Sequence, residues 1–595
     1  MSTRRARTIE SQASSASLLP RRSFRNVSEF GETPYTLTNS TVLSLSEKFS
    51  LAADPATWGS NLSMNYREPD DALHNPTVRG GKIVDDETIS FSKRGIANVG
   101  CLMILCLGLL ALLSVPFSVA VAAINRNRNS VAYPVLTYVQ EQTSSLSSSN
   151  LGVNASGQVP EMGNFGLIDL DTPEDAYTFT SWRDGSEWQL VFSDEFETDG
   201  RTFYPGDDPY WEAVDLHYWG TNNMEWYDPA GISTANGSMH ITLSEKATHG
   251  LDYQGGMVAT WNKFCFTGEY LSASVRLPGI SNVMGLWPAV WAMGNLGRAG
   301  YGATLDGMWP YTYDACDVGT APNQTINGLP TAATTSGASN YNYELSYLPG
   351  QRLSRCTCDG ESHPGPKHSD GTYVGRASPE IDVFEAQVSN DIGGVSQSGQ
   401  WAPFNKGYVW DNSSDNLIIA DSTISTLNSY IGGSTQQATS VVSTTNSSCY
   451  QLADGCFTTY GFEYKPGYES DNAYITWINN GKVAWTINAA GAGADTATEI
   501  SARPVPEEPL IPNLGMSTNF GDVDLDHLTF PAIMSVDWIR VYQDPNNINI
   551  GCDPDNFPTA AYIDTYSEAY NNPNLTTWVD DYGQTIPKNS LVDGC

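Results

Sequence analysis

The chain has 595 residues, of which 11% are aromatic, and carries 66 Asp and Glu against 30 Lys and Arg, a formal charge of −36. That excess of acid excludes a nucleic-acid binder, whose affinity would come from neutralising phosphates. The 16 Trp and 30 Tyr point instead to a ligand with apolar ring faces, as pyranose sugars have.

Residues 1–94 are rich in Ser, Thr and Arg, show little periodicity and hold 12 Lys/Arg against 11 Asp/Glu, so a disordered cytosolic tail is expected there. From Gly95 to Ile124 there is no charge, and Leu, Ala, Val and Ile dominate over a length that crosses a hydrocarbon core of about 30 Å as a helix. A cleaved signal peptide would have a shorter apolar core nearer the N-terminus. Arg79, Lys82, Lys93 and Arg94 outweigh Arg126 and Arg128, which puts the N-terminus in the cytosol. The expected topology is a single-pass type II membrane protein of the endoplasmic reticulum, Golgi or plasma membrane, its main domain lumenal. Residues 125–164 read as a Ser-rich stem. Eight of the 10 Cys follow the span and none precedes it, so disulfides are expected beyond it. Sequons occur on both sides of the span, at Asn26, Asn39 and Asn61 before it and at Asn154, Asn236, Asn323, Asn412, Asn446 and Asn574 after it, so they do not decide the orientation.

From residue 165 to 545 short apolar, aromatic or β-branched runs alternate with Gly, Asn, Asp and Pro, which reads as all-β. Asn222, Asn223, Glu225, Trp226 and Tyr227 form a mixed polar and aromatic cluster suited to sugar hydroxyls and faces. Trp287 and Trp291, in Leu-Trp-Pro-Ala-Val-Trp, are rings of the kind that stack on sugars, although core packing explains a single Trp equally well. Two stretches, Asn295 to Ser378 and Val388 to Gly455, exceed ordinary strand connections and are expected to wall or cap a cleft. The first holds Cys356-Thr-Cys358, His363 and His368, enough donors for zinc. Cys316 nearby and the even cysteine count favour disulfides, so no metal or cofactor is expected.

Between those stretches lies Glu380-Ile381-Asp382-Val383-Phe384-Glu385, three carboxylates on an apolar, β-prone run. A sheet edge bearing solvated acids is the bland account, but buried unpaired carboxylates are too costly to keep without a task. A regular strand aims Glu380 and Asp382 together and Glu385 away; one bulged residue restores the phase. The two glutamates then lie roughly 13 Å apart at Cα, and their arms can close to about 5 Å, the spacing of a retaining glycosidase. One carboxylate would attack the anomeric carbon and the other would donate and then accept a proton. Asp382 would orient the nucleophile.

Further on, Ala473 to Trp485 alternates about Asn480-Gly481, a strong hairpin signal, and Val536 to Tyr542 alternates again. Residues 546–595 form an extension bounded by Cys552 and Cys595 that is expected to fold back through a disulfide.

The acidic run resembles the Glu-x-Asp-x-x-Glu signature of glycoside hydrolase family 16. Together with Leu190–Phe196, Trp261–Gly268, Gly285–Met293, Gly307–Tyr311 and Ser378–Ala386, it is similar to the fungal β-glucan synthesis-associated proteins, membrane-anchored relatives of that family. The resemblance covers about residues 165–595. It implies a concanavalin-like β-jelly roll of two curved antiparallel sheets, with Glu380 as nucleophile, Glu385 as acid/base and Asp382 between them. It also implies that Asn222, Asn223, Glu225, Trp226, Tyr227, Trp287 and Trp291 line donor subsites. One departure is that Ala386 and Gln387 follow Glu385, where a His or other polar residue is common. The implied function is a glycoside hydrolase or transglycosylase acting on β-glucan in cell-wall β-1,6-glucan assembly, alongside other cell-wall synthesis proteins. The alternative is a non-catalytic glucan-binding or scaffold protein.

Overall fold

The computed structural model describes residues 166–595, apart from 338, 340–341, 346–347, 349, 377, 434, 468–471 and 504–507, together with 77–79 and 82–84. Thr77–Arg79 and Lys82–Val84 pair as an antiparallel hairpin within a separate compact unit, 23–140. The expected span 95–124 and stem 125–164 lie outside the described residues. Among the described residues, no helix is long and apolar enough to cross a membrane.

The principal strands are β1 (Glu187–Asp194), β2 (Glu225–Tyr227), β3 (Tyr253–Ala259), β4 (Glu269–Arg276), β5 (Trp287–Met293), β6 (Glu380–Ser389) and β7 (Ile392–Trp401). They continue with β8 (Gln437–Thr444), β9 (Thr458–Lys465), β10 (Tyr474–Asn479), β11 (Lys482–Asn488), β12 (Glu508–Gly515) and β13 (Ala532–Gln543). Among the described residues one layer has 11 strands, running β8-β7-β6-β5-β12-β3-β2 through its principal members. The other has 10 and runs β11-β10-β9-β4-β13-β1. The pairing is antiparallel except between β3 and β2, which run parallel, so the expectation of purely antiparallel sheets is corrected at that edge.

Period-two alternation builds the core between the layers. On β5, Val290 and Ala292 face it, while Ala289, Trp291 and Met293 belong to a second apolar cluster on the other face of the sheet. From the opposite layer come Leu271, Ala273 and Val275 of β4 and Tyr460, Phe462 and Tyr464 of β9.

β6 breaks its alternation once. Ile381, Val383 and Phe384 all lie in the inter-sheet core, so two successive residues face the same way. Asp382 opposes Ser398 and Glu385 opposes Ser396, three steps on β6 against two on β7. On the other side Val290 opposes Phe384 and Trp291 opposes Asp382, again one residue extra on β6. This is the expected bulge. Side chains meet the backbone groups it leaves: Trp477 Nε1 donates to the Asp382 carbonyl at 2.8 Å and Gln397 Nε2 to the Val383 carbonyl at 2.9 Å.

The Asn480-Gly481 turn joins β10 to β11, with both residues at positive φ, 57° and 68°, as a type I′ turn requires. Trp477 and Trp485 stack across its arms at 4.1 Å.

The reading of 388–455 as a long loop is corrected. It contains β7 and β8, which extend the sheet beyond β6. Ile392-Gly-Gly-Val-Ser-Gln-Ser-Gly-Gln-Trp401 has only Ile392, Val395 and Trp401 of the β-branched and aromatic residues that announce a strand, the rest being Gly, Ser and Gln. It is small-residued because neighbours press on it: any side chain at Gly393 would collide with Tyr450 and Thr445.

The described residues of the insertion 295–378 include helical turns α1 (Gly302–Leu305) and α2 (Thr331–Thr335) and a Cys316–Cys356 disulfide. Cys358 bonds Cys595, so both cysteines of the candidate zinc set are oxidised. The extension carries α3 (Ala560–Thr565) and α4 (Ser567–Asn571) and is tied at both ends, by Cys265–Cys552 and Cys358–Cys595. Cys449–Cys456 closes a short loop.

Gln397 is fully buried, and its amide also donates to the Ile478 carbonyl of the opposite layer at 3.0 Å. Gln397→Leu leaves two buried carbonyls without that donor and is expected to destabilise the domain by about 2–4 kcal/mol, read from urea unfolding midpoints.

Candidate active site

Past the bulge, Glu380, Asp382 and Glu385 open into one cleft on the β6 face away from the inter-sheet core. Asp382 is 1% exposed, and the two glutamates flanking it are partly accessible. Each carboxyl has its own neutral donor. Trp309 Nε1 donates to Glu380 Oε2 at 2.6 Å and Trp287 Nε1 to Glu385 Oε1 at 3.1 Å. Ser398 Oγ and Gln400 Nε2 donate to Asp382 Oδ2 at 2.7 and 3.0 Å. These last two sit on β7 directly opposite Asp382 and Glu380, two residues apart on the same face.

Burial raises all three carboxyls above their ordinary values. For Glu380 burial is the largest cause, charge on Asp382 and Glu385 adds to it, and the Trp309 N–H opposes it. For Glu385 burial is reinforced by the Asp382 charge and opposed by Trp287. Asp382 is raised by burial and drawn back by Ser398, Gln400 and the hydrogen bond it shares with Glu380. Burial therefore favours the protonated form of Glu385, and the hydrogen bond between Glu380 and Asp382 lets that pair share a proton.

Of the residues expected to bind substrate, Asn223, Tyr227, Trp287 and Trp291 line this cleft. Trp291 Nε1 donates to Asn513 Oδ1 at 2.9 Å, and the Tyr227 hydroxyl accepts from the amides of Asn513 and Asn223 at 3.1 and 3.0 Å. Trp287 stacks on Phe520 at 4.2 Å.

Glu225, Trp226 and Asn222 are placed elsewhere. Glu225 is wholly buried beneath Asn223, accepting its amide at 2.7 Å and the Met516 N–H at 3.0 Å, and burial pushes its carboxyl up to about 8. Trp226 alternates to the opposite face of β2, where it stacks on His249 at 4.2 Å and donates to Asp215. Asn222 is exposed at φ 54°, where a short 3₁₀ turn ends.

Sequence reasoning passed over Trp309, Tyr218, Gln400, Gln436 and Asn513 on the cleft wall, and Ser398, which donates to Asp382. Trp309 stood inside the recognised run Gly307–Tyr311 without a role. Ser398 and Gln400 were hidden with the strand that carries them. Tyr218, raised by burial and then by charge on the three acids, keeps its hydroxyl proton beside them.

A model of the β-glucan synthesis-associated protein family SKN1/KRE6/Sbg1 matches residues 60–595. The β-glucan synthesis-associated protein KRE6 of Saccharomyces cerevisiae is 40% identical over 547 residues, 90% of this chain and 70% of that protein. SKN1 of Candida albicans is 40% identical over 540 residues, 90% of this chain and 68% of its own. Among solved structures, the laminarinase from Rhodothermus marinus aligns with 60% of this chain and 97% of its own at 19% identity, with a TM-score of 0.33.

Because the Glu380 carboxyl is raised well above its ordinary value of 4.5, the folded state holds a proton that the unfolded state has released. That contribution to stability is complete below about pH 4 and is lost as pH rises through the folded value. Glu380→Gln removes the loss. The variant is therefore expected to melt higher than wild type at pH 7, with the gap narrowing toward pH 4, as measured by calorimetry across pH.

Proposed function

This chain belongs to the β-glucan synthesis-associated SKN1/KRE6/Sbg1 family, and on that premise we propose that it is a retaining glycosidase or transglycosidase acting on β-glucan during β-1,6-glucan assembly. The observation that carries the reading is the bulged strand, with two accessible glutamates in one cleft and a buried aspartate between them. Glu380 attacks the anomeric carbon as its proton passes to Asp382. Glu385 protonates the departing glycosidic oxygen and then, as a carboxylate, takes a proton from the incoming nucleophile. That nucleophile is water in hydrolysis or a glucan hydroxyl in transfer. Trp287 and Trp291 supply apolar faces for sugar rings, and the Tyr227 and Asn513 network meets hydroxyls.

In the same reading residues 95–124 anchor the protein as a type II membrane protein and the domain works in the lumen or outside the cell. The four disulfides support an oxidising compartment.

The test incubates the detergent-solubilised full chain with end-labelled β-1,3- and β-1,6-glucan oligosaccharides and reads both shortened and lengthened products. Glu380→Gln and Glu385→Gln are each expected to lower turnover at least roughly a thousandfold while leaving oligosaccharide binding intact. Unchanged chain lengths with every acceptor between pH 4 and 8 would sink the enzymatic reading. Loss of binding on Trp287→Ala with no turnover in wild type would leave a glucan-binding module.

A further inference from the structure

Trp309, which donates to the proposed nucleophile, does not sit on the sheet. It lies 71 residues before Glu380, just after the single helical turn α1. Four residues of helix cannot hold a rigid geometry alone. What fixes this turn comes from the other end of the chain.

Leu296, Ala303, Met308 and Leu353 of the insertion share one apolar cluster with Tyr562, Ile563, Tyr570 and Trp578 of the extension. Neither segment buries these residues by itself. The contact is close: a Cβ on Gly302 would stand 2.7 Å from the Thr576 carbonyl, and Ala303 N donates to the Leu575 carbonyl at 2.9 Å. Asp306 Oδ2 accepts the Trp578 N–H at 2.9 Å. Arg352 lies with its guanidinium 3.7 Å over the Trp578 ring and donates to the Ala303 and Asp306 carbonyls at 2.9 and 3.2 Å, closing the C-terminal end of the turn. Trp309 N then donates to the Leu305 carbonyl at 2.9 Å, one step from this braced set.

We infer that the C-terminal extension is a working part of the active site: through Trp578, Asp306 and Arg352 it positions the Trp309 indole on Glu380. Asp306, Arg352 and Trp578 are positioning residues that touch neither sugar nor reacting atoms. This rests on the glycosidase reading for its kinetic test, and a spectroscopic test stands without it.

The groups that face Glu380 are Asp382 and Glu385 on its own strand and Tyr218 from the segment before β2. Among the described residues lining the cleft there is no Lys or Arg. A slipped Trp309 therefore removes the donor that favours the ionised nucleophile, and no cation replaces it. Glu380 then ionises at higher pH, and the acid limb of kcat/KM moves up.

The experiment uses the full-length, detergent-solubilised chain. Trp309→Phe sets the reference shift, about half to one pH unit for a lost charge-assisted hydrogen bond. Asp306→Ala, which deletes the acceptor for Trp578, is expected to move the limb the same way, and Asp306→Asn, which keeps a carbonyl there, to restore it. In the Trp309→Phe background Asp306→Ala should add no further shift. Should Asp306→Ala fold poorly, Arg352→Met is scored the same way. A lower melting temperature with an unmoved acid limb, or a second additive shift in the double variant, overturns the inference.

If wild type turns over no glucan, the catalytic reading falls and the brace is still decided by fluorine NMR of protein labelled with 5-fluorotryptophan. The signal lost in Trp309→Phe should titrate with pH, stop titrating in Glu380→Gln, and change position in Asp306→Ala but not Asp306→Asn. A Trp309 signal unmoved by Asp306→Ala overturns the brace outright.

Discussion

One residue out of phase sets the chemistry of this domain. With Val383 and Phe384 both turned into the core, the carboxyls on either side of them emerge on the same face. The energetic burden falls on the interrupted ladder, whose carbonyls would be buried without donors. The remedy comes from inside the core, from Trp477 on the opposite sheet and from Gln397, whose single amide ties Val383 on one layer to Ile478 on the other. The two-layer packing and the spacing of the acids are thus one structure. A different partner beneath β6 would leave the irregularity unsupported, and the strand would relax toward even alternation with Glu385 inward.

What could be read from the sequence was local. Glu-Ile-Asp-Val-Phe-Glu displays its own bulge, because a run with two adjacent apolar residues between acids admits one kink and few other solutions. Asn480-Gly481 displays its turn through the positive φ that both residues tolerate. Trp226 was assigned against a rule already in hand: on a strand, Glu225 and Tyr227 share a face and Trp226 must take the other. What stayed hidden depends on distant partners. β7 looks like a loop because a central strand crowded by Tyr450 and Thr445 has to use Gly and Ser, residues with poor strand propensity. Trp309 had no readable role because its contact spans 71 residues and an insertion whose packing is completed only by the last part of the chain.

The site thus has two kinds of support. The acids, Ser398, Gln400, Trp287 and Trp291 hang from paired strands whose register is set by both neighbours. The donor to Glu380 hangs instead from irregular backbone, and irregular backbone must find its rigidity in side chains and cross-links. The extension provides both, through an aromatic cluster and disulfides at Cys552 and Cys595. Disulfides of such large sequence separation, 287 and 237 residues, restrict the unfolded chain strongly. The same links keep two short segments in register where hydrophobic area alone would be meagre.

The side-chain donors described above for the acids of the cleft are all neutral, and the proposed mechanism gives a reason. An Arg or Lys against any of the three would favour its charged form and hold it ionised far below neutral pH. In the proposed mechanism a permanently ionised Glu385 could not protonate a leaving oxygen, and an Asp382 pinned as a carboxylate by a cation could not take the proton from Glu380. Indole N–H, hydroxyl and amide groups instead offer direction without full charge, and they satisfy each carboxyl while leaving burial and mutual repulsion to keep the cluster partly protonated. Glu380 and Asp382, joined by a hydrogen bond, share a proton, while Glu385 feels the charge on Asp382. The acidity of the whole chain works in the same sense, since a field of negative charge disfavours ionising yet another acid.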